Sequence, residues 1–243
     1  MQFLWDDEKI EWYIRASNAS GFHKRLAERV IPVLKKTDHV VDFGCGPGII
    51  DLEIASHVGS ITAIDINEIV LHRFRSEIEK RGFSNIFTVL GDIEKNRDTI
   101  LSVSFDVAIF CFFGGPGYSF DEALNRASRL VILITHGVDV SKKSSKIVSG
   151  MHRTFADEVD AYLASNRVQY LKISECIDFY QPFLSLGEAE RFFNSYAKEG
   201  EASSKERRTQ VERQLELVEK TDDPAYPWRF PNLKDTAIYI IEK

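Results

Sequence analysis

The sequence predicts an α/β protein built on a doubly wound sheet, and two observations lead to this prediction. Short, β-branched apolar runs alternate with segments of helical period between residues 39 and 135. The first run, HVVDFG at 39–44, stops at a glycine-rich turn, as a strand buried on both faces does when it leads into a helix. Strands and helices in this alternating order are typical of a parallel sheet covered by helices on both faces.

The expected elements follow from the spacing of apolar residues and from turn signals. Pro32 should bend or end the second helix, and Gly82 should end the fourth. Two S-x-x-E capping boxes, Ser185–Glu188 and Ser203–Glu206, should each begin a helix. The predicted helices are 7–16, 20–35, 48–57, 67–81, 120–128 and 151–165, together with the two that the boxes begin. The predicted strands are 39–44, 60–65, 85–92, 105–113, 129–135, 173–179 and 235–243, the last at an edge or in a hairpin.

The length and the order of elements predict one domain over residues 1–243. Within it we expect an N-terminal helical cap at 1–38 and a ligand-binding core at 39–136. We also expect a helical insertion or lid at 180–234, before the final strand at 235–243. The insertion contains the aromatic and proline-rich stretch AYPWRFPN at 225–232, which is either a substrate cover or a stiff connector.

The composition restricts the partners. A net charge of −6 without a long basic run does not favour nucleic acid. The three cysteines are far apart, which is typical of reduced thiols in a cytoplasmic protein. No apolar run reaches the roughly 18 residues of a membrane span, and the first residues do not read as a signal peptide. No close grouping of histidines and cysteines indicates a metal site.

The loop VVDFGCGPG at 40–48 is the first candidate ligand site. Gly44, Gly46 and Gly48 let the backbone approach a ligand closely, and the amides of the following helix favour a carboxylate or a phosphate. The spacing is G-x-G-x-G, with Ile49 at the third glycine position of the dinucleotide fingerprint G-x-G-x-x-G. Asp42 before the loop would repel a pyrophosphate and suits a cationic group such as an amine or a sulfonium.

Acidic residues also end the next two strands. Asp65 closes SITAID and suits two ribose hydroxyls, and Asp92 closes NIFTVLGD and suits an exocyclic amine. Ile66 follows Asp65 and can pack on an adenine face. Each aspartate alone is as often a helix cap, but ligands of open α/β sheets bind at this edge, where all three acids meet.

VVDFGCGPG, SITAID and FTVLGD in this order resemble the class I S-adenosylmethionine-dependent methyltransferases over residues 40–135. The resemblance implies a mostly parallel seven-stranded sheet with an antiparallel last strand. It implies S-adenosyl-L-methionine as cofactor and S-adenosylhomocysteine as product. It also implies site residues: Gly44, Cys45, Gly46 and Gly48 along the methionine moiety, Asp42 near its amino group, Asp65 on the ribose, and Asp92, Ile66 and Ile93 around the adenine.

The second glycine loop, CFFGGPG at 111–117, is expected on the acceptor side. Enzymes of this family that act on planar amines often carry Asn/Asp-Pro-Pro-aromatic here, whereas this chain has Phe113-Gly114-Gly115-Pro116. Methylation of base amines or of glutamine is therefore less favoured. Phe110 is expected to line the cofactor through its backbone, and Cys111 reads as a small buried hydrophobe rather than a nucleophile.

The catalytic residues stay open, with His136 after the fifth strand and Tyr118 beside the second loop as weak candidates. The leading interpretation is a methyltransferase for a small molecule, as a monomer or homodimer. Alternatives are an RNA- or protein-directed methyltransferase, for which SKKSSK at 141–146 is the one hint, and a non-catalytic S-adenosylmethionine-binding protein. A nicotinamide oxidoreductase is disfavoured by Ile49 and Asp42.

Overall fold

A computed structural model describes residues 5–92, 104–137, 155–197 and 204–243. The chain divides into two compact units. The first comprises residues 1–6, 23–177 and 234–243, and the second comprises residues 7–22 and 178–233. The helices are α1 (Asp7–Ser20), α2 (Phe22–Val30), α3 (Ile49–Ile54), α4 (Glu68–Arg81), α5 (Tyr118–Arg126), α6 (Phe155–Ser165), α7 (Leu186–Tyr196) and α8 (Ser204–Leu215). The strands are β1 (His39–Phe43), β2 (Ser60–Asp65), β3 (Ile86–Leu90), β4 (Val107–Cys111), β5 (Leu130–His136), β6 (Leu171–Asp178), β7 (Gln181–Phe183), β8 (Glu219–Lys220), β9 (Trp228–Phe230) and β10 (Leu233–Glu242).

The first unit is built on a seven-stranded sheet in the order β3-β2-β1-β4-β5-β10-β6. Strands β1 to β5 pair in parallel, with Asp42 opposite both Ala63 and Ile109. Strand β10 runs antiparallel to β5, with Tyr239 opposite Leu133. The predicted fold class, a mostly parallel doubly wound sheet with an antiparallel last strand, is confirmed.

The position of β10 corrects one expectation. Its charged end suggested an edge or a hairpin, but β10 lies between β5 and β6 in the interior of the sheet. The residues from Thr236 to Ile241 are all buried. This uninterrupted buried run is typical of a strand covered on both faces, and within β10 only its two end residues, Leu233 and Glu242, are exposed.

Aromatic rings and one ion pair organise the core of this unit. Phe43 stacks on Phe110 with 4.9 Å between ring centroids, and Phe120 packs edge-on against Phe110 at 5.6 Å. Asp38, the residue before β1, is 2% exposed. Its carboxylate accepts a hydrogen bond from the guanidinium of Arg129, whose Nε lies 3.0 Å away. The Phe43–Phe110 stack joins β1 to β4, the strands that end at the two glycine loops, and the ion pair joins the start of β1 to the start of β5.

The second unit contains α1, α7, α8 and a three-stranded sheet in the order β7-β9-β8. The helices were expected, but the sheet was not, and β9 lies within AYPWRFPN, which was interpreted as a cover or a connector. Ser185 caps α7 by accepting from the Glu188 amide, as the capping box predicts. The Glu188 carboxylate instead accepts from the Leu184 amide at 2.6 Å. The predicted cap residue Ser203 lies outside the described residues, and α8 begins at Ser204.

The remaining boundaries differ from the prediction by a few residues. The α-helical hydrogen bonds of α2 end at Val30, and Ile31–Val33 form a 3₁₀ turn with proline in its first positions, as Pro32 predicted. Helix α4 ends at Gly82, whose φ of 72° completes the expected C-terminal cap. Within the described ranges, no helix combines the length and the apolar character needed to cross a bilayer.

Candidate active site

The loop from β1 to α3 turns through three glycines in the left-handed region. Their φ angles are 70° at Gly44, 54° at Gly46 and 65° at Gly48. The amides of Gly44 and Cys45 both donate to the Ile64 carbonyl at 2.9 Å, which ties the loop to the end of β2. Because residues with a Cβ rarely adopt this conformation, the backbone path itself requires glycine.

Aromatic side chains lie against the three glycines. A Cβ added at Gly44 would lie 2.2 Å from Cγ of Phe113, and one added at Gly48 would lie 2.1 Å from Cζ of Phe74. At Gly46 the nearest atom to such a Cβ would be in Trp5, at 3.7 Å. The loop is therefore packed against three aromatic rings, which come from three different segments of the first unit.

Asp65 lies beside this loop at the end of β2. One carboxylate oxygen accepts from the Gly46 amide at 2.9 Å, and the other accepts from the Asn67 amide at 2.8 Å. Asn67 in turn caps α4 by accepting from the Ile69 amide at 2.9 Å. An ionised carboxylate offers about four acceptor positions, so Asp65 retains capacity for ligand hydroxyls. Its ribose role stays a prediction.

The predicted adenine residues are only partly described. Ile66 follows Asp65 with 46% of its surface exposed, which is unusual for an isoleucine at a strand end. Asp92 is half-buried and lies two residues after the carboxyl end of β3. Strand β3 pairs in parallel with β2, which ends at Asp65. Ile93 lies outside the described residues. The carboxyl ends of β1, β2 and β3 thus bring Asp42, Asp65 and Asp92 to one edge, as the parallel pairing requires.

Asp42 has an acidic neighbour that the sequence analysis missed. The Asp42 and Asp51 side chains are 0% exposed and lie within hydrogen-bonding reach of each other. Their four oxygens have no other hydrogen-bond partner in the described part of the chain. Burial raises the pKa of Asp42 to about 7, and burial and then the charge of Asp42 raise the pKa of Asp51 well above its usual range. The sequence did carry a sign of this pair, because Asp51 is an acid inside the otherwise mostly apolar helical run GIIDLEIA.

The same acids act on two cysteines. Burial, then Asp51 and Asp42, raise the pKa of the Cys45 thiol well above its usual range. Burial, then Asp42 and Asp51, do the same for Cys111. Both sulfurs are therefore protonated at neutral pH and poor nucleophiles. Cys111 was interpreted as a buried hydrophobe rather than a nucleophile; its raised pKa fits the second part, but its side chain is only partly buried.

The acceptor-side loop after β4 begins with two phenylalanines in different roles. Phe112 has a φ of 53°, its amide donates to the Ile134 carbonyl at 2.8 Å, and its ring lies 5.0 Å from that of His136. Phe113 covers Gly44 and leaves 44% of its surface exposed. A positive φ in a bulky residue costs about 1–3 kcal/mol and occurs mainly where the surroundings enforce it.

The other predicted residues of this region are placed as follows. The Phe110 side chain is fully buried in the core, so only its backbone is available to a ligand. Tyr118 begins α5, and its side chain lies outside the described part. His136 ends β5 with an exposed side chain next to Phe112. Partial desolvation and then the charge of Lys234 lower the pKa of His136, so its ring is neutral at pH 7.

Comparisons with known proteins agree with this geometry. The methyltransferase domain family matches residues 34–194. No curated protein matches the sequence. The YcgJ protein from Bacillus subtilis superposes with a TM-score of 0.52 at 15% identity, over 91% of this chain and 99% of that one. A precorrin 8w decarboxylase from Methanobacterium thermoautotrophicum gives 0.50 at 15% identity, over 90% and 88% of the two chains. A SAM-dependent methyltransferase from Aquifex aeolicus gives 0.50 at 19% identity, over 69% and 91%.

A glycine loop beside strand-end carboxylates, on a sheet with one antiparallel strand, defines the class of Rossmann-like methyltransferases. The family match covers more than half of the 243 residues. The chain therefore belongs to the methyltransferase domain family and is an S-adenosylmethionine-dependent methyltransferase. At 15–19% identity, the solved structures contribute the fold alone.

Proposed function

We propose that this enzyme transfers the methyl group of S-adenosylmethionine to a small, uncharged acceptor with an aromatic or apolar body. The observation that carries this proposal is the position of CFFGGPG, which places the Phe113 ring directly on Gly44 of the first loop. The acceptor-side residues 111–120 include no charged side chain. Exposed rings beside a cofactor loop favour an apolar, planar partner, because they offer stacking area and no ion pair.

The residues of the first loop fit the cofactor. The backbone path needs glycine at 44, 46 and 48, and Gly46 is held to the end of β2 because its amide donates to Asp65. We assign Gly44, Cys45, Gly46 and Gly48 to the methionine moiety, with Asp42 supplying negative charge toward its cationic groups. We assign Asp65 to the ribose, and the exposed Ile66 with Asp92 and Ile93 to the adenine.

S-adenosylmethionine supplies an electrophilic methyl group when it is bound. The chain's own task is then mainly orientation, because holding two reactants in line supplies much of the rate enhancement. We assign this task to the Phe113 ring and to the backbone at Phe110 and Cys111. A neutral His136 can accept the proton that an amine or hydroxyl acceptor loses, and it is our candidate for this role.

We further propose one methyltransferase domain over 1–243, in which 180–234 is an insertion, acting in the cytoplasm as a monomer or homodimer. The lack of a charged side chain over 111–120 and the net charge of −6 favour a small acceptor over RNA.

Ligand-induced thermal stabilisation tests the cofactor. A ligand at one hundred times its Kd stabilises a protein by about 2.7 kcal/mol, so S-adenosylmethionine and S-adenosylhomocysteine should both raise Tm, whereas NAD should not. Asp65→Ala should lose most of this stabilisation, and Glu68→Ala, an exposed acid in the first turn of α4, should keep it. A Tm increase with NAD alone, or equal stabilisation of Asp65→Ala and wild type, would contradict the assignment.

An acceptor screen tests the substrate class. S-adenosylhomocysteine formation is measured with neutral aromatic alcohols and amines, with charged amines and carboxylates, and with total RNA. We expect turnover with the neutral aromatic set. We also expect Phe113→Ala to raise KM for the acceptor while leaving the cofactor Kd within about threefold. Turnover with RNA alone would refute the small-molecule assignment.

A further inference from the structure

The buried carboxyl pair of Asp42 and Asp51 has no structural role that its surroundings explain. All four oxygens are shielded from solvent and, in the described part of the chain, none has a hydrogen-bond partner beyond the pair itself. Buried carboxyl groups are costly unless they are paired with a cation, bound to a metal or protonated. The described residues contain no group of three or more potential ligands that could hold a metal ion. Protonation of one member is the remaining solution.

The two acids come from different elements that meet under the first glycine loop. Asp42 lies near the end of β1, two residues before Gly44, and Asp51 lies in α3, three residues after Gly48. The other titratable groups that act on the pair from the elements around it are Asp65 at the end of β2, Cys45 in the loop and Cys111 at the end of β4. Of these groups, the Asp65 carboxylate raises the pKa of Asp42 and so favours a proton on the pair and a cation near it, whereas the two thiols are protonated and add no charge.

Asp51 is the member suited to hold the proton. Its carboxylic acid can donate to Asp42, and this hydrogen bond stabilises the Asp42 carboxylate. Like-charged carboxyl groups at hydrogen-bonding distance do not both ionise near neutral pH, so the pair carries one negative charge or none. Because the pKa of Asp42 is raised to about 7, the pair gains its one negative charge as the pH rises through neutrality.

We propose that Asp51 is a specificity-determining residue, which through the Asp42–Asp51 pair makes the site prefer the cationic methyl donor over its neutral product. S-adenosylmethionine carries one more positive charge than S-adenosylhomocysteine, because the sulfonium becomes a thioether on transfer. A single buried negative charge under the loop attracts the donor more than the product. This inference rests on the proposed cofactor assignment and adds a residue and a charge-based selectivity to it.

The test compares the dissociation constants of the two ligands as a function of pH. In the wild type, the ratio of the S-adenosylhomocysteine Kd to the S-adenosylmethionine Kd should rise between pH 6 and pH 8, by up to about tenfold per pH unit where one proton is linked. Calorimetry in buffers of different ionisation enthalpy should detect proton release on binding S-adenosylmethionine. In the ligand-free protein, carbon-13 NMR of the aspartate carboxyls should show two of them titrating together, well above the usual range.

Asp51→Asn separates the charge from the packing. The amide introduced at this position would still donate to Asp42, but it has no proton that titrates, so Asp42 should stay ionised. The ratio of the S-adenosylhomocysteine Kd to the S-adenosylmethionine Kd should then be high and independent of pH. Glu53→Gln makes the same acid-to-amide change two residues along α3 and should keep the wild-type profile. Circular dichroism and Tm verify that each variant is folded.

Distinct outcomes separate the two proposals. If the wild type binds neither ligand, the cofactor assignment fails. If both ligands bind but their ratio does not change with pH, or if Asp51→Asn retains the wild-type profile, the charge-selecting role of Asp51 is refuted while the cofactor assignment stands.

Discussion

Three glycines have nearly the same backbone conformation but different neighbours. Replacing each by alanine therefore separates the free-energy cost of the left-handed backbone from the cost of a collision with a neighbouring ring. Gly82, Gly44 and Gly48 have φ angles of 72°, 70° and 65°. A Cβ at Gly82 would meet nothing within 4 Å, one at Gly44 would meet the ring of Phe113, and one at Gly48 would meet the ring of Phe74. Phe113 is 44% exposed, whereas Phe74 is 0% exposed. The substitution Gly→Ala therefore imposes similar strain on the backbone at all three positions, but a collision with a ring only at Gly44 and Gly48.

The magnitudes follow from these neighbours. A left-handed alanine costs roughly 1–2 kcal/mol relative to glycine, which is the whole expected effect at Gly82. At Gly44 the exposed ring can swing away, so Gly44→Ala should lose little more, about 1–2 kcal/mol. At Gly48 the buried ring cannot move, and overpacking adds about 1–3 kcal/mol, for a total of about 2–5 kcal/mol.

Urea denaturation of the three variants measures these losses as changes in the free energy of unfolding. At this chain length, each 1 kcal/mol corresponds to roughly 2–4 °C in Tm, which provides an independent check. In a Phe113→Ala background, Gly44→Ala should cost the same as Gly82→Ala does in the wild type, because the ring that the new Cβ would meet is gone. Equal losses at Gly48 and Gly82 would show that Phe74 does not constrain the loop and would refute the reasoning.

Three further perturbations test local features. Ser185→Ala removes the hydrogen bond to the Glu188 amide at 3.1 Å and should cost about 1 kcal/mol in urea denaturation, while Ser185→Asp should cost less. Burial raises the pKa of Glu188, but hydrogen bonds from the Leu184 amide, Arg15 and Trp12 outweigh it, and the net pKa is lowered. The stability from this carboxylate is therefore complete above its unfolded pKa of about 4.3 and is lost as the pH falls through the lower folded value. Glu188→Gln should be about 1–3 kcal/mol less stable than wild type at pH 7, with a gap that narrows below pH 4. Phe112→Gly relieves the positive φ that Phe112→Ala retains, so the glycine variant should be the more stable by about 1 kcal/mol, and equal Tm values would argue against strain at this position.

The first half of the chain was predictable because local signals and tertiary structure agree there. Each of the first three parallel strands is a short apolar run that ends at or just before a glycine or an acid, and Gly82 ends α4 where the sequence indicates. The strand-end position of Asp65 follows from the same pattern. Burial on both faces leaves few alternatives for such runs.

The missed features depend on contacts between distant residues. Strands β7, β8 and β9 are two to three residues long, so no alternation can be read from them. Asp51 looks like one acid in a short helix, and only the packing of α3 against β1 brings it to Asp42. In the capping box at Ser185, the expected reciprocal bond is replaced because Arg15, Trp12 and the Leu184 amide hold the Glu188 carboxylate.

The three glycines of the first loop therefore do not share one purpose. Gly48 accommodates the buried Phe74, which is a packing requirement, and Gly44 accommodates Phe113 from the acceptor-side loop. At Gly46 a Cβ would make an ordinary contact with Trp5 at 3.7 Å, and the amide is held by a strand-end acid, Asp65. Because Gly44 and Phe113 are in direct contact, the two glycine loops form one surface.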